Sequence, residues 1–259
     1  MTLGGTALAL RAFAATLARA AWLRDRATLE AWQERRLQAW LHDRAGVAGL
    51  SDLPPMDRAG LMADFAACNH LGLTVEAATA IAEGQAPLPE GYHVGLSTGT
   101  TSGLRMPYVI SEAERFVWLG TILAKTLGSG ALRRPRVAVA LPRGSALYDA
   151  AEEGHALPLC FVPLGEGFAA ALARLSAFRP DVIVAPPRLL HWLALQRAQL
   201  APRRIFAAAE MLDPPDRAAI AAGFPGARLG EIYMATEGLF AVTCRHGRLH
   251  LAADVMRFD

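Results

Sequence analysis

The sequence predicts an α/β fold, with a helical lead-in followed by a mostly parallel, helix-covered sheet and a C-terminal hairpin. Three observations predict it. Residues 6–46 and 57–83 read as helical, with apolar side chains at helical spacing. From about residue 93, short β-branched runs alternate with helical segments, the pattern of successive strand–helix–strand units. Residues 239–252 read as two short strands turning at His246-Gly247.

In chain order, Leu37, Trp40 and Leu41 place apolar groups three and four residues apart in the lead-in. Leu10, Phe13, Leu17 and Ala21 form a stripe expected to pack on the body of the protein rather than on a membrane. Ser51-Asp52-Leu53-Pro54-Pro55 breaks between the two helical stretches. Pro87, Pro89 and Gly91 close the helical part, dividing the chain into a lead-in, 1–88, and an α/β part, 89–259. Strands are expected at 107–110, 136–141, 159–163, 181–185, 204–208 and 227–233. Helices are expected at 111–127, 145–154, 167–178, 187–199 and 214–223. Such alternation implies right-handed crossovers and a sheet covered on both faces.

Composition narrows the function. With 53% hydrophobic and 19% charged residues, the chain can build a core and is not a disordered tail. A net charge of +2 gives no general pull toward nucleic acid. Cys68, Cys160 and Cys244 are odd in number and far apart, which reads as reduced thiols in the cytoplasm rather than a disulfide framework. Arginines interrupt the N-terminal apolar stretch, and no run approaches the roughly 20 apolar residues that span a bilayer.

The chemistry starts at residues 94–105, Val-Gly-Leu-Ser-Thr-Gly-Thr-Thr-Ser-Gly-Leu-Arg. Ser97, Thr98, Thr100, Thr101 and Ser102 put five hydroxyls within six residues, while Gly99 and Gly103 leave the backbone approachable. Free N–H groups in such a loop make a concavity for anionic oxygens, so a phosphate is the expected guest. The competing reading is a Ser/Thr-rich turn whose hydroxyls only cap backbone groups. Neither Gly-Lys-Ser/Thr nor Gly-x-Gly-x-x-Gly is present.

A second segment, Glu231-Ile232-Tyr233-Met234-Ala235-Thr236-Glu237-Gly238, again closes an apolar run. With the loop, with Ala209-Glu210 between them and with Gly247-Arg248-Leu249-His250-Leu251 after them, it resembles the adenylate-forming superfamily of acyl-CoA synthetases. The likeness is strongest to phenylacetate–CoA ligases and their capsule-cluster relatives. Leu29-Glu30-Ala31-Trp32-Gln33 and Arg36-Leu37 resemble the helical lead-in of that family.

The resemblance implies ATP-dependent activation of a small carboxylic acid as an acyl-adenylate, with coenzyme A as an acceptor. Ser97, Thr98, Gly99, Thr100, Thr101 and Gly103 would wrap the β- and γ-phosphates. Thr236 would donate to the α-phosphate, and Glu237 would hold Mg²⁺. Tyr233 would lie against the adenine, with Ala209 and Glu210 at its edge. The transition state accumulates negative charge, so such catalysis rests on positioned donors and a cation.

Departures accompany the likeness. Met234 stands where relatives carry glycine, and Ala252-Ala253-Asp254 where they carry Asn-Glu-Asp. The family continues with a ribose-binding aspartate and a small domain bearing a catalytic lysine. The chain is accordingly expected to be an N-terminal part that works with a separate C-terminal domain or in a homodimer. The alternative is a degenerate ATP- or AMP-binding module. Lys125, the only lysine, sits mid-helix and cannot stand in for the missing one. Cys244, His246 and His250 are spaced in a way that could ligate zinc, but structural or surface roles are expected. His155 and His191 show no acidic partner in sequence.

Overall fold

The computed structural model of this protein describes residues 3–42, 47, 49–97, 105–141, 157–196, 198–235 and 237–258. The lead-in begins as two helices, α1 (Leu3–Trp22) and α2 (Arg26–His42), where the periodicity predicted one segment over 6–46. Asp25 divides them: its carboxylate accepts the Thr28 amide, capping the first turn of α2. The second stretch, 57–83, is likewise split into α3 (Arg58–Ala63) and α4 (Val75–Ala82). Between them the Asn69 side chain accepts from the amides of Leu71 and Leu73, offering the backbone an alternative to helix.

Strands β1 (Tyr92–Leu96) and β2 (Pro107–Ser111) form a two-stranded antiparallel sheet of their own. This corrects the expectation that 107–110 belongs with the parallel strands. The connection from Leu96 to Pro107 is too short to hold the helical crossover that a parallel pair needs. Helix α5 (Glu112–Leu127) follows, opened by a capping box in which Ser111 and Glu114 exchange hydrogen bonds with each other's backbone.

The main sheet is built from β3 (Val137–Leu141), β4 (Leu159–Pro163), β5 (Val182–Ala185), β6 (Arg204–Ala208), β7 (Arg228–Ala235), β8 (Gly238–Thr243) and β9 (Leu249–Leu251). Their order is β4-β3-β5-β6-β7-β8-β9, parallel from β4 to β7 and antiparallel thereafter. The helices α6 (Phe168–Phe178), α7 (Pro187–Leu195) and α8 (Pro214–Gly223) make the crossovers. The helix expected at 145–154 lies outside the described residues. The turn at His246-Gly247 holds as expected, with Gly247 at φ 76° and its amide donating to Cys244 O.

Alternation along the strands explains the layering. Ala138, Ala140, Ile183, Ala185, Ile205 and Ala207 face α6, α7 and α8, meeting Leu175, Leu189, Leu193 and Ile220. Val137, Val139, Val182, Phe206, Ala208 and Ile232 face the other way, toward Phe13 of α1 and Ile122, Leu123 and Leu127 of α5. Both faces of the parallel strands are therefore apolar and covered. Each fully buried Leu or Ile contributes roughly 1.5–3 kcal/mol.

Helix α1 lies directly on α5. A Cβ at Gly120 would overlap the Ala9 carbonyl oxygen and lie 3.0 Å from the Ala12 Cβ, and one at Gly5 would overlap the Phe116 ring. The closest points of the contact are therefore made by small residues, with Leu8 and Phe116 packed beside them. Leu10 (61% exposed) and Ala21 face outward, contrary to the expected apolar stripe, because small side chains give the closer crossing.

The C-terminal segment is fastened to the lead-in through Asp254. Its carboxylate accepts from Arg19 Nε of α1 at 3.0 Å and from Lys125 Nζ of α5. Its carbonyl accepts from Trp32 Nε1 of α2 at 3.0 Å, and Gln33 Nε2 donates to Ala253 O at 2.8 Å. Burial pushes the Asp254 carboxyl up, but the hydrogen bonds and charges of Lys125 and Arg19 outweigh it, holding it below the usual carboxylate range.

Two outcomes follow from this packing. Gly120→Ala is expected to lower stability by about 1–3 kcal/mol through overpacking against α1. Gly130→Ala, with no atom within 4 Å of its Cβ, is its control in denaturant unfolding. Asp254→Asn is expected to cost about 2 kcal/mol, the scale of hydrogen bonds to charged groups. Because the folded-state pKa of Asp254 is lowered, its contribution is full above the ordinary carboxylate range and lost as pH falls through the lowered value. Urea midpoints across acid pH should thus converge for parent and Asp254→Asn; a constant gap would refute the linkage.

Candidate functional site

The expected phosphate-binding residues start at the end of the small hairpin. Leu96 pairs with Pro107, and beyond this pair the Ser97 amide donates to Met106 O at 2.7 Å. Ser97 Oγ accepts the Met106 amide at 2.8 Å. Its hydroxyl oxygen thus caps the backbone and closes the neck of the loop, in line with the capping alternative for this one residue. Thr98, Gly99, Thr100, Thr101 and Gly103 lie outside the described residues.

The hairpin is clamped to α5 at its base. His93 Nε2 lies 2.6 Å from Glu112 Oε2, and Arg115 Nη2 donates to Glu112 Oε1 at 3.0 Å. Burial pushes the Glu112 carboxyl up, but the hydrogen bonds from His93 and Arg115 bring it below the usual range. Gly95 lets the Tyr108 ring cross the neighbouring strand, since a Cβ there would overlap that ring.

The remaining expected residues meet at the carboxyl end of the main sheet. Ala208 of β6 pairs with Ile232 of β7, so Ala209 leaves the sheet beside Tyr233, which stays in β7 and pairs with Ala241 of β8. Ala209 is held at φ 68°, a left-handed conformation that costs a non-glycine residue roughly 1–2 kcal/mol. Glu210 Oε1 lies 3.0 Å from Arg188 Nε in the first turn of α7. Tyr233 is 57% exposed and stacks on Phe240 of β8, ring centroids 5.1 Å apart and planes at 27°. A bulge between Tyr233 and Met234 shifts the register, and Ala235 then pairs with Gly238. Glu237 is exposed in that tight connection, and Thr236 lies outside the described residues. Met234 packs against the core on the α5 side of the sheet.

The architecture therefore brings Ala209, Glu210, Tyr233 and Glu237 to one edge, while Ser97 belongs to the separate hairpin. The strand order also reverses at β3, with β4 on one side and β5 on the other. Open α/β sheets bind ligands outside the carboxyl ends of strands at such reversals. Arg188 follows β5 directly, between the reversal and Glu210. Sequence reasoning missed Arg188 and Phe240. The signal for Arg188 was a cation at the start of a helix whose first turn holds no acidic residue, where the helix dipole opposes positive charge.

The other conspicuous side chains are engaged elsewhere. Lys125 is bound to Asp254, which supports its structural reading. His191, read from sequence as lacking an acidic partner, has one in the fold: its Nδ1 pairs with Asp216 of α8. His155 lies outside the described residues. Cys244 Sγ accepts the His246 amide at 3.3 Å, and among the described residues no three His, Cys, Asp or Glu side chains converge as metal ligands do. Among the described residues no helix is long and apolar enough to cross a membrane.

No protein-family model and no curated protein matches the sequence. Among solved structures, the chain is similar to a 2-hydroxyisobutyryl-CoA ligase in an open conformation, in complex with 2-HIB-AMP and CoA. The TM-score is 0.53 at 18% identity, over 89% of this chain and 59% of that one. An amide bond synthetase, McbA from Marinactinospora thermotolerans, matches at TM-score 0.46 and 22% identity over 80% of this chain and 40% of that one. The anthranilate CoA ligase AuaEII in complex with anthranoyl-AMP matches at TM-score 0.45 and 18% identity over 60% and 32%. The chain thus spans at most 59% of these proteins' lengths. The first likeness establishes the α/β fold as that of the ligase's corresponding part.

The backbone at residue 209 yields a direct expectation. Ala209→Gly should stabilise the fold by about 0.5–1 kcal/mol by relieving the positive φ, net of glycine's entropy. Ala209→Val should destabilise it. Denaturant midpoints that rank the three residues otherwise would show that the left-handed geometry is not strained.

Proposed function

We propose that this chain is the nucleotide-binding, N-terminal part of an adenylate-forming ligase. It binds ATP and activates a small carboxylic acid as its acyl-adenylate, with residues 1–88 as the lead-in and 89–259 as the nucleotide-binding part. The observation that carries this reading is the convergence of the Ala209-Glu210 and Tyr233–Glu237 segments at the carboxyl ends of adjacent parallel strands. The shared fold with a ligase whose structure holds an acyl-AMP supports it.

In this reading the hairpin loop beyond Ser97 supplies Thr98, Gly99, Thr100, Thr101 and Gly103 to the β- and γ-phosphates, with Ser97 holding the neck closed. Tyr233, backed by Phe240, offers an exposed ring face for a base to stack on. Thr236 donates to the α-phosphate. Glu237 suits Mg²⁺, since an exposed carboxylate at the strand end is the hard oxygen donor that this ion prefers. When bound, Mg²⁺ neutralises phosphate charge as pyrophosphate departs. Acyl transfer to coenzyme A would complete the sequence.

One observation favours a second reading, a nucleotide-binding module without efficient turnover of its own. The only lysine of the chain is spent on Asp254. Removal of one preorganised donor from a site of this kind costs on the order of 10²–10³ in rate.

ATP with Mg²⁺ is expected to raise the melting temperature, by about 2.7 kcal/mol of added stability at a hundredfold excess over Kd. Glu237→Ala should remove the Mg²⁺-dependent part, and Gly99→Val should abolish binding by filling the loop. Parent-like ATP binding by both variants would refute the site. Pyrophosphate exchange with a panel of carboxylic acids separates the two readings, because robust turnover by residues 1–259 alone would exclude the second.

A further inference from the structure

Arg188 occupies a position that its own helix disfavours. It sits in the first turn of α7, which contains no acidic residue, so the helix dipole opposes its charge. Its chain neighbours Pro186 and Pro187 are buried, yet the Arg188 side chain is 56% exposed and directed to the Glu210 carboxylate at 3.0 Å. Exposed ion pairs add little to stability. A locally unfavourable choice that adds little to stability points to a role in the site, as such violations gather at functional positions.

The register shows what the pair spans. Ala185 of β5 lies opposite Ala207 of β6, so α7 starts beside the segment that carries Ala209 and Glu210. Ala208 lies opposite Ile232 on the other side, so Tyr233 comes next. Glu210, 29% exposed, is therefore held from the β5 side by Arg188, with the exposed Tyr233 ring beyond Ala209 on the β7 side. A carboxylate oriented through Oε1 presents its second oxygen as a pure acceptor.

We propose that Arg188 is a positioning residue: it holds the Glu210 carboxylate as the acceptor for the exocyclic amine of an adenine base lying against Tyr233. This rests on the ATP reading above and adds base specificity to it. A 6-amino purine offers Glu210 a donor. A 6-oxo purine turns an acceptor toward the carboxylate, which disfavours it.

Calorimetric titration of ATP and ITP, each with Mg²⁺, into the full chain tests this. The parent should prefer ATP. Arg188→Ala should weaken ATP binding about tenfold, the worth of one charge-assisted hydrogen bond, and bring the ATP/ITP ratio toward one without lowering the melting temperature. Arg188→Lys should restore part of the preference. The double variant with Glu210→Gln should bind no more weakly than Glu210→Gln alone, because the two side chains act as a unit. An ATP/ITP ratio unchanged by Arg188→Ala, or losses that simply add, overturns the proposal while leaving ATP binding intact. A parent that binds neither nucleotide overturns both this inference and the ATP reading. If Arg188→Ala misfolds, Glu210→Gln carries the same test, and a parent-like ratio there refutes the proposal.

Discussion

The carboxylate of Asp254, held between Arg19 and Lys125, joins three parts of the chain that are distant in sequence. Arg19 is on the first helix of the lead-in, Lys125 is near the end of α5, and Asp254 follows the last strand. The attraction matters because the carboxylate is largely buried. Its desolvation has to be offset by two cations at hydrogen-bond distance, and the lowered pKa records that it is. Around the same point Trp32 and Gln33 satisfy the backbone carbonyls of Asp254 and Ala253. The lead-in is thereby bound to the far end of the sheet.

Helix α5 transmits this tie. One end carries Lys125; the other carries Glu112, which His93 and Arg115 hold against the base of the β1–β2 hairpin. The same helix covers the sheet with Ile122, Leu123 and Leu127 and admits α1 at Gly120. A single rigid element therefore sets the hairpin, and with it the neck closed by Ser97, against the body of the protein. Interiors packed at this density deform little, so the hairpin is fixed at its base relative to the sheet.

At the carboxyl edge the chain departs from local preference in three neighbouring places. Ala209 takes a left-handed backbone, a bulge interrupts the pairing at Tyr233 and Met234, and Arg188 stands at a helix start that opposes its charge. Each is unfavourable by itself, and each re-aims a polar or aromatic group at the end of a strand. Their clustering is consistent with binding chemistry at this edge, because strain and irregularity gather where a surface is shaped for a ligand.

Sequence alone determined the fold class, because period-2 and period-3.6 patterns are local and survive in a single chain. The runs at 136–141, 159–163, 181–185 and 204–208 became β3, β4, β5 and β6 with small changes at their ends. The motif residues Ala209, Glu210, Tyr233 and Glu237 were singled out by resemblance to the adenylate-forming superfamily rather than by periodicity, and the fold places them at the carboxyl ends of β6 and β7. Tertiary structure alone decided the rest. It separated β1 and β2 into their own hairpin, because strand partners are set by connection length and non-local hydrogen bonds. It chose Gly5, Ala9, Ala12 and Gly120 over the larger stripe for the α1–α5 contact, because close approach rewards the absence of side chains. It also gave Lys125, His191 and Glu210 their partners at sequence separations of 129, 25 and 22 residues. Charge pairing depends on distance in space, and no local pattern encodes that.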